Sequence, residues 1–194
     1  MTAIKRLRFL LRLTSSQEIA RRYFVTNGFD GALTMLGLML GFHLSGTVAL
    51  RVVISACLGA AIALAMSGLT SAYVSETAER KKALKELENA MVTDLGETAH
   101  GAAARLIPWL IALVNGMAPF LIALIIITPI WFSAFTDVEL PLDPIQCSIG
   151  IAFIVIFLLG VFLGRIGGEF WLKSGGRMVL IALITVLLIY AFGR

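Results

Sequence analysis

The chain has 194 residues, of which 59% are hydrophobic and only 14% are charged, and its formal net charge is +4. Soluble domains carry about 25% charged residues, so this composition excludes an ordinary soluble domain. Long apolar runs without strand-like alternation also exclude an outer-membrane barrel and predict an all-α, polytopic membrane protein.

Five apolar stretches are long enough to be transmembrane helices, and we expect them to form a single membrane domain over residues 1–194. Fourteen of the sixteen basic residues precede the first stretch or lie between the second and third or the fourth and fifth. The positive-inside rule therefore predicts an N-terminus inside and a C-terminus outside. The net charge is then an orientation signal that also favours anionic headgroups, and no nucleic-acid partner is needed to explain it. The predicted spans are 24–45, 49–75, 106–130, 146–165 and 175–193.

Residues 1–23 are predicted to form an amphipathic helix that lies at the membrane interface. Ile4, Leu7 and Leu11 share one helical face, and basic residues surround that face. This pattern is typical of interfacial helices. The first two spans then occupy residues 24–75.

Residues 76–105 are predicted to be a cytoplasmic helical element, and spans three to five follow in residues 106–194. Leu84, Leu87 and Met91 form one apolar stripe at helical spacing, so we expect the helix of span two to continue beyond the membrane into the cytoplasm. Glu97 and His100 have the Glu-x-x-His spacing that places both side chains on one helical face. A metal-collecting cluster is one interpretation, and a solvated charged helix with pairs such as Glu79–Lys82 is the other. The candidate ligands are Glu76, Glu79, Glu86, Glu97 and His100.

Asp30 is the carboxylate that lies inside the first predicted span. A charged side chain at the centre of a bilayer costs roughly 2.5–3.5 kcal/mol on insertion scales, so we expect a cation, a proton or a basic partner beside it. Asn27 and Thr34 share its helical face at i−3 and i+4. Their oxygens, with a thioether from Met35 or Met66, suit iron(II) or manganese(II).

Simpler interpretations of these residues stay open. Asp30 could reach headgroup water and pair with Arg21 or Arg22, and a methionine is most often a flexible core residue. Asn115 in span three could serve either an ion path or a hydrogen bond between helices. Glycines recur at four-residue spacing in spans one and four, which favours close helix packing, within one protomer or across a dimer. They are Gly37, Gly41, Gly160, Gly164 and Gly168.

Several enzyme classes lack support in the sequence. There is no Walker loop, Gly-x-Ser-x-Gly, Cys-x-x-Cys or His-Glu-x-x-His motif, which argues against an ATP-driven pump or a zinc hydrolase. Asp30-Gly31 resembles the opening of the CDP-alcohol phosphotransferase motif, but the next eleven residues carry no charge. We therefore expect no enzyme activity and no resident cofactor.

Several segments, in their order along the chain, resemble the vacuolar iron transporter family, which includes the calcium-sensitivity complementer and nodulin-21-like proteins. The chain is similar to a short member with a reduced cytoplasmic metal-binding region. The matching segments are residues 27–31 with the glycine-rich first helix, 65–75 in the second, 116–120 in the third, and 164–165 with 174–178 in the closing helices.

The resemblance implies a homodimer that moves iron(II), with manganese(II) as a second ion, out of the cytosol in exchange for protons. It implies that the first helices line the path at the dimer interface, that Asp30 binds metal and proton in turn, and that Met66 assists. The membrane would be the cell membrane in a prokaryote or a vacuolar-type membrane in a eukaryote. Ser71-Ala72 stands where the family has Gly-Glu. A non-transporting scaffold or regulator is therefore the main alternative, and a lipid-modifying enzyme comes third.

Overall fold

The computed structural model describes residues 16–46, 48–136 and 142–192. The predicted interfacial helix lies mostly outside these residues, and only its last part, from Ser16, is seen as the start of the first helix. Within the described ranges all regular structure is helical. The predicted all-α class is confirmed.

The five helices follow one another with short connections. Four of them, α2 to α5, are long and apolar enough to cross a membrane by length and composition. The chain is therefore a multi-pass helical membrane protein, and the lipid bilayer is its surroundings. The helices are α1 (Ser16–Leu44), α2 (Leu50–Met91), α3 (Ala99–Phe135), α4 (Pro144–Gly167) and α5 (Trp171–Phe192).

Helix α2 continues well beyond the apolar segment, as predicted. Its 42 residues correspond to about 63 Å at 1.5 Å per residue, roughly twice the thickness of a bilayer core. The outer half is rich in Glu, Lys and Ala, which are good helix formers, so the helix needs no apolar surroundings to persist.

The predicted helical pairing of Glu97 and His100 is wrong. Helix α2 ends at Met91, and Val92 adopts a positive φ of 49°. Glu97 lies in the following turn, whereas His100 is the second residue of α3. The hydroxyl of Thr98 accepts a hydrogen bond from the backbone N–H of His100 at 3.2 Å, as N-cap residues do. This cap starts a new helix after Glu97.

Helix α4 has well-defined ends. The Asp143 carboxylate accepts a hydrogen bond from the N–H of Ile145 at 2.8 Å, and Pro144 occupies the first turn. Both are favoured at a helix start. At the other end Gly168 has a left-handed φ of 70° and its N–H bonds to the carbonyl of Gly164, so the chain can turn at once into α5.

The first of two compact units contains the described parts of Met1–Phe24 and Ala65–Met117. In it α2 and α3 run antiparallel: the Asn115 amide donates to the carbonyl of Gly68 at 2.7 Å, and the rings of Tyr73 and Trp109 lie 4.3 Å apart. The start of α1 covers a small core on α3, where Ile19 and Tyr23 pack against Ala103, Ile107 and Ile111.

The second unit contains Val25–Leu64 and the described part of Ala118–Arg194. A Cβ at Gly28 would approach side-chain atoms of Ile122 and Leu159, so α1 packs closely on α3 and α4. A Cβ at Gly160 would lie 2.8 Å from the Cα of Gly175, which shows that α4 and α5 are in backbone contact. Gly160 and Gly164 therefore serve packing within the protomer.

Candidate functional site

Asp30 lies on the exposed side of α1. The opposite side of this helix is buried at helical spacing, through Val25, Ala32, Leu36 and Met39. Successive residues turn by about 100°, so Asp30 lies about 150° around the helix from the middle of that buried stripe. The carboxylate consequently faces away from the core of the second unit.

The polar groups beside Asp30 follow the predicted pattern in part. Thr34 shares its side of the helix, and the Thr34 hydroxyl donates to the backbone carbonyl of Asp30 at 2.8 Å. Asn27 is half-buried one turn before. Asp30 takes part in none of the ion pairs formed among the described residues, so the expected alternative, a pairing with Arg21 or Arg22, is not formed.

The exposed side of α1 extends beyond Asp30. Thr26 and Gly41 are also exposed, and a Cβ built at Gly41 would meet no atom within 4 Å. We call the stripe of Thr26, Asp30, Thr34 and Gly41 the Asp30 face. The 15 residue steps from Thr26 to Gly41 correspond to about 22 Å of helix, and the face combines hydroxyl, carboxylate and glycine.

The two methionines predicted to assist Asp30 have different surroundings. Met35 is completely buried, five residues and therefore about 140° around the helix from Asp30. The structure does not bring its thioether to the Asp30 face. Met66 on α2 is 58% exposed and its thioether is accessible.

The five candidate ligands outside the predicted spans do not form one cluster. Glu76 is only 7% exposed and forms an ion pair with the Nε of Arg80 at 3.5 Å. The predicted Glu79–Lys82 pair is absent among the ion pairs of the described residues. Glu86, Glu97 and His100 are exposed, and His100 borders a small cavity of about 110 Å³ whose other walls are mainly apolar.

Within the described ranges, no three His, Cys, Asp or Glu side chains come close enough to hold a metal ion together. Cys57 is buried and Cys147 is half-buried, and both thiols are free.

The first unit contains a cavity that was not predicted from the sequence. Its volume is about 400 Å³, and its walls come from the start of α1 and the middle of α2. Two guanidinium and two carboxylate groups border it, so we call it the mixed-charge cavity. Its sequence signal was the i, i+4 spacing of Glu76 and Arg80, which favours ion pairing on a helix. Its main lining residues are Ile19, Arg22, Tyr23, Glu76, Glu79 and Arg80.

The helical fold and the large exposed apolar surface are those of a multi-pass, all-α membrane protein. The chain is 29% identical over 181 residues to an uncharacterized protein of Methanocaldococcus jannaschii, and the match covers 91% of this chain and 90% of that relative. The likeness thus extends over nearly the whole length of both proteins. No protein-family model matches the chain. No solved structure matches it either.

Proposed function

We propose that this protein is a member of the vacuolar iron transporter family and works as a homodimer that exports iron(II), or manganese(II), from the cytosol in exchange for protons. One observation carries the proposal. Asp30 is a carboxylate on an uncovered face of a helix whose other face forms protein core.

In this proposal α1 crosses the membrane together with the four more apolar helices. Its 29 residues give about 43 Å of helix, enough for a bilayer core of about 30 Å. Five crossings with the basic residues inside place the N-terminus in the cytosol and the C-terminus outside. Asp30 then lies within the apolar layer, where a carboxylate facing lipid is unfavourable.

A second copy of the chain would remove that exposure. In a two-fold dimer the same surface is used by both protomers, so the Asp30 face of one copy would lie against that of the other. Gly41 allows the two helices to approach. The two carboxylates, with oxygens from Asn27 and Thr34, would provide the hard ligands that a divalent cation needs. Met35 is buried in the core, so its thioether is not among these ligands.

Proton exchange follows from the chemistry of a carboxylate. Metal and proton compete for the same oxygens, so binding of the cation requires a deprotonated Asp30, and protonation releases the cation. On the cytosolic side the exposed Glu79, Glu86 and Glu97 would raise the local cation concentration. Glu76 has a smaller part there, because Arg80 already neutralises it.

Uptake of manganese(II) and iron(II) into proteoliposomes with an imposed pH gradient tests the mechanism. We expect Asp30→Asn to reduce proton-coupled uptake by at least about tenfold, the equivalent of about 1.4 kcal/mol, because the amide can neither balance the cation nor carry the proton. Glu18→Gln removes an exposed carboxylate from the first turn of the same helix and should leave uptake unchanged. Normal uptake by Asp30→Asn would remove this mechanism.

A non-transporting scaffold or regulator is the second candidate. The lack of a three-residue metal cluster among the described residues favours it, as does Ser71-Ala72 in place of the family's Gly-Glu. Calorimetric titration of the purified protein with manganese(II) separates the two candidates. A transporter should show a saturable site that Asp30→Asn abolishes, whereas a scaffold should show none.

A further inference from the structure

The mixed-charge cavity lies where two helices change from apolar to charged. On α1 its lining residues Ile19, Arg22 and Tyr23 directly precede the largely apolar run that starts at Phe24. On α2 its lining begins at Ser75, directly after the apolar segment that ends at Val74. Both walls change character at the cavity, which places it at the level of lipid headgroups. Tyr23 is the residue type enriched at that level.

Only two of the four charged residues around the cavity form an ion pair with each other. Glu76 and Arg80 form an ion pair at 3.5 Å. Arg22 and Glu79 line the same cavity, are both exposed, and take part in no ion pair of the described residues. The Arg22 guanidinium lies over the Tyr23 ring, 6.0 Å from its centroid. One positive and one negative group therefore remain available to a ligand.

A ligand that matches this pair carries one negative and one positive group itself. Because Glu76 and Arg80 pair with each other, a purely anionic headgroup would still be opposed by Glu79, and a bare divalent cation would still be opposed by Arg22. The volume of about 400 Å³ falls in the range of about 300–1,000 Å³ typical of small-molecule sites.

We propose that the mixed-charge cavity binds an amine–phosphate group, supplied by the headgroup of a membrane lipid such as phosphatidylethanolamine. The phosphate accepts hydrogen bonds from Arg22, and the primary ammonium donates to Glu79. Charge-assisted hydrogen bonds of this kind are roughly twice as strong as neutral ones. The site shares no residue with the Asp30 face, and Glu79 is the one residue it has in common with the exposed cytosolic carboxylates of the proposed function.

Native mass spectrometry of the purified full-length protein tests the site. The probe is an equimolar mixture of phosphatidylethanolamine, phosphatidylcholine and phosphatidylglycerol with identical acyl chains. We expect preferential retention of phosphatidylethanolamine, because the choline headgroup has no N–H donor and the glycerol headgroup has no cation. Arg22→Gln and Glu79→Gln should each lower its retention by about tenfold, since each removes one charged partner. Glu79→Asp, which keeps the charge, should retain most of it.

Two matched controls and a soluble competitor complete the experiment. Arg21→Gln and Glu86→Gln remove exposed charges next to the cavity residues but outside the cavity lining and should leave retention unchanged. Glycerophosphoethanolamine at equal concentration should not displace the lipid. Equal retention of all three lipids, equal losses in the controls, displacement by the soluble compound, or displacement of phosphatidylethanolamine by manganese(II) in a Glu79-dependent manner would each overturn the proposal.

Discussion

At the scale of single residues, Asn115 shows how a buried polar group is accommodated between membrane helices. It is only 3% exposed, and its amide donates to the Gly68 carbonyl on α2 at 2.7 Å. Hydrogen bonds of this kind between membrane helices contribute about 0.6 kcal/mol on average and about 1.7 kcal/mol at most. We expect Asn115→Ala to lower the free energy of unfolding in detergent micelles by about 1 kcal/mol. Asn89→Ala, at an exposed position of α2, should change it little.

Residue types alone could predict part of the site and not the rest. The i−3 and i+4 spacing of Asn27 and Thr34 predicts that they share a helical side with Asp30, and the Thr34 hydroxyl does bond to the Asp30 carbonyl. Met35 was also a candidate ligand, but it lies five residues from Asp30 on the buried side of α1. Glu76 had two candidate roles, metal ligand and ion-pair partner. Only the structure shows that Glu76 forms an ion pair with Arg80, because several other charged residues on the same helix could have been its partner.

At the scale of elements, the packing of α1 depends on Gly31. A Cβ at this position would lie 2.7 Å from the Cα of Pro119 on α3, a backbone atom that cannot rotate away. We expect Gly31→Ala to destabilise the protein by about 1–3 kcal/mol, as overpacking of a core does. Thermal unfolding in detergent measures the effect.

Gly150→Ala is the matched control for Gly31→Ala. Gly150 also lies inside a helix of the second unit, and a Cβ there would meet no atom within 4 Å. Alanine has the better helix propensity by up to about 1 kcal/mol, so the control should be neutral or slightly stabilising. A similar loss of stability in both variants would show that the close contact of Gly31 with Pro119 is not the cause.

Element boundaries could be predicted where a single property changes sharply. Helix α2 was expected to continue because strong helix formers follow its apolar part, and it does so to Met91. The exact position of the break before α3 could not be predicted from composition, because the left-handed Val92 and the Thr98 cap are local conformations with little signal there. The four-residue spacing of glycines predicted close helix packing. It could not show that Gly160 packs on α5, because that contact depends on how α4 and α5 are arranged in the fold.

At the scale of the whole molecule, basic residues and exposed apolar side chains occupy different parts of the helices, as is typical of a membrane protein. Lysines and arginines concentrate before α1 and in its first two turns, in the second half of α2 and the start of α3, and around the turn from α4 to α5, while large apolar side chains are exposed on α3, α4 and α5. The exposed apolar side chains can face the lipid tails of a bilayer directly, so they need no protein partner to cover them. The Asp30 face is different, because a carboxylate is a poor neighbour for lipid tails, and this difference is the reason to expect a second protomer there.

Disulfide trapping in native membranes tests the proposed dimer. In a background with Cys57→Ala and Cys147→Ser, we expect Thr34→Cys to form a covalent dimer on mild oxidation, because a two-fold axis along the Asp30 face brings the two thiols within reach. A disulfide requires Cα atoms about 4.4–6.8 Å apart, so only a close interface will react. Leu36→Cys on the buried side of the same helix and Ile154→Cys, exposed on α4, should stay monomeric. If Ile154→Cys reacted as readily as Thr34→Cys, or if neither reacted, the protomers would not meet at the Asp30 face, and Asp30 would have to be covered by something other than a second copy of the chain.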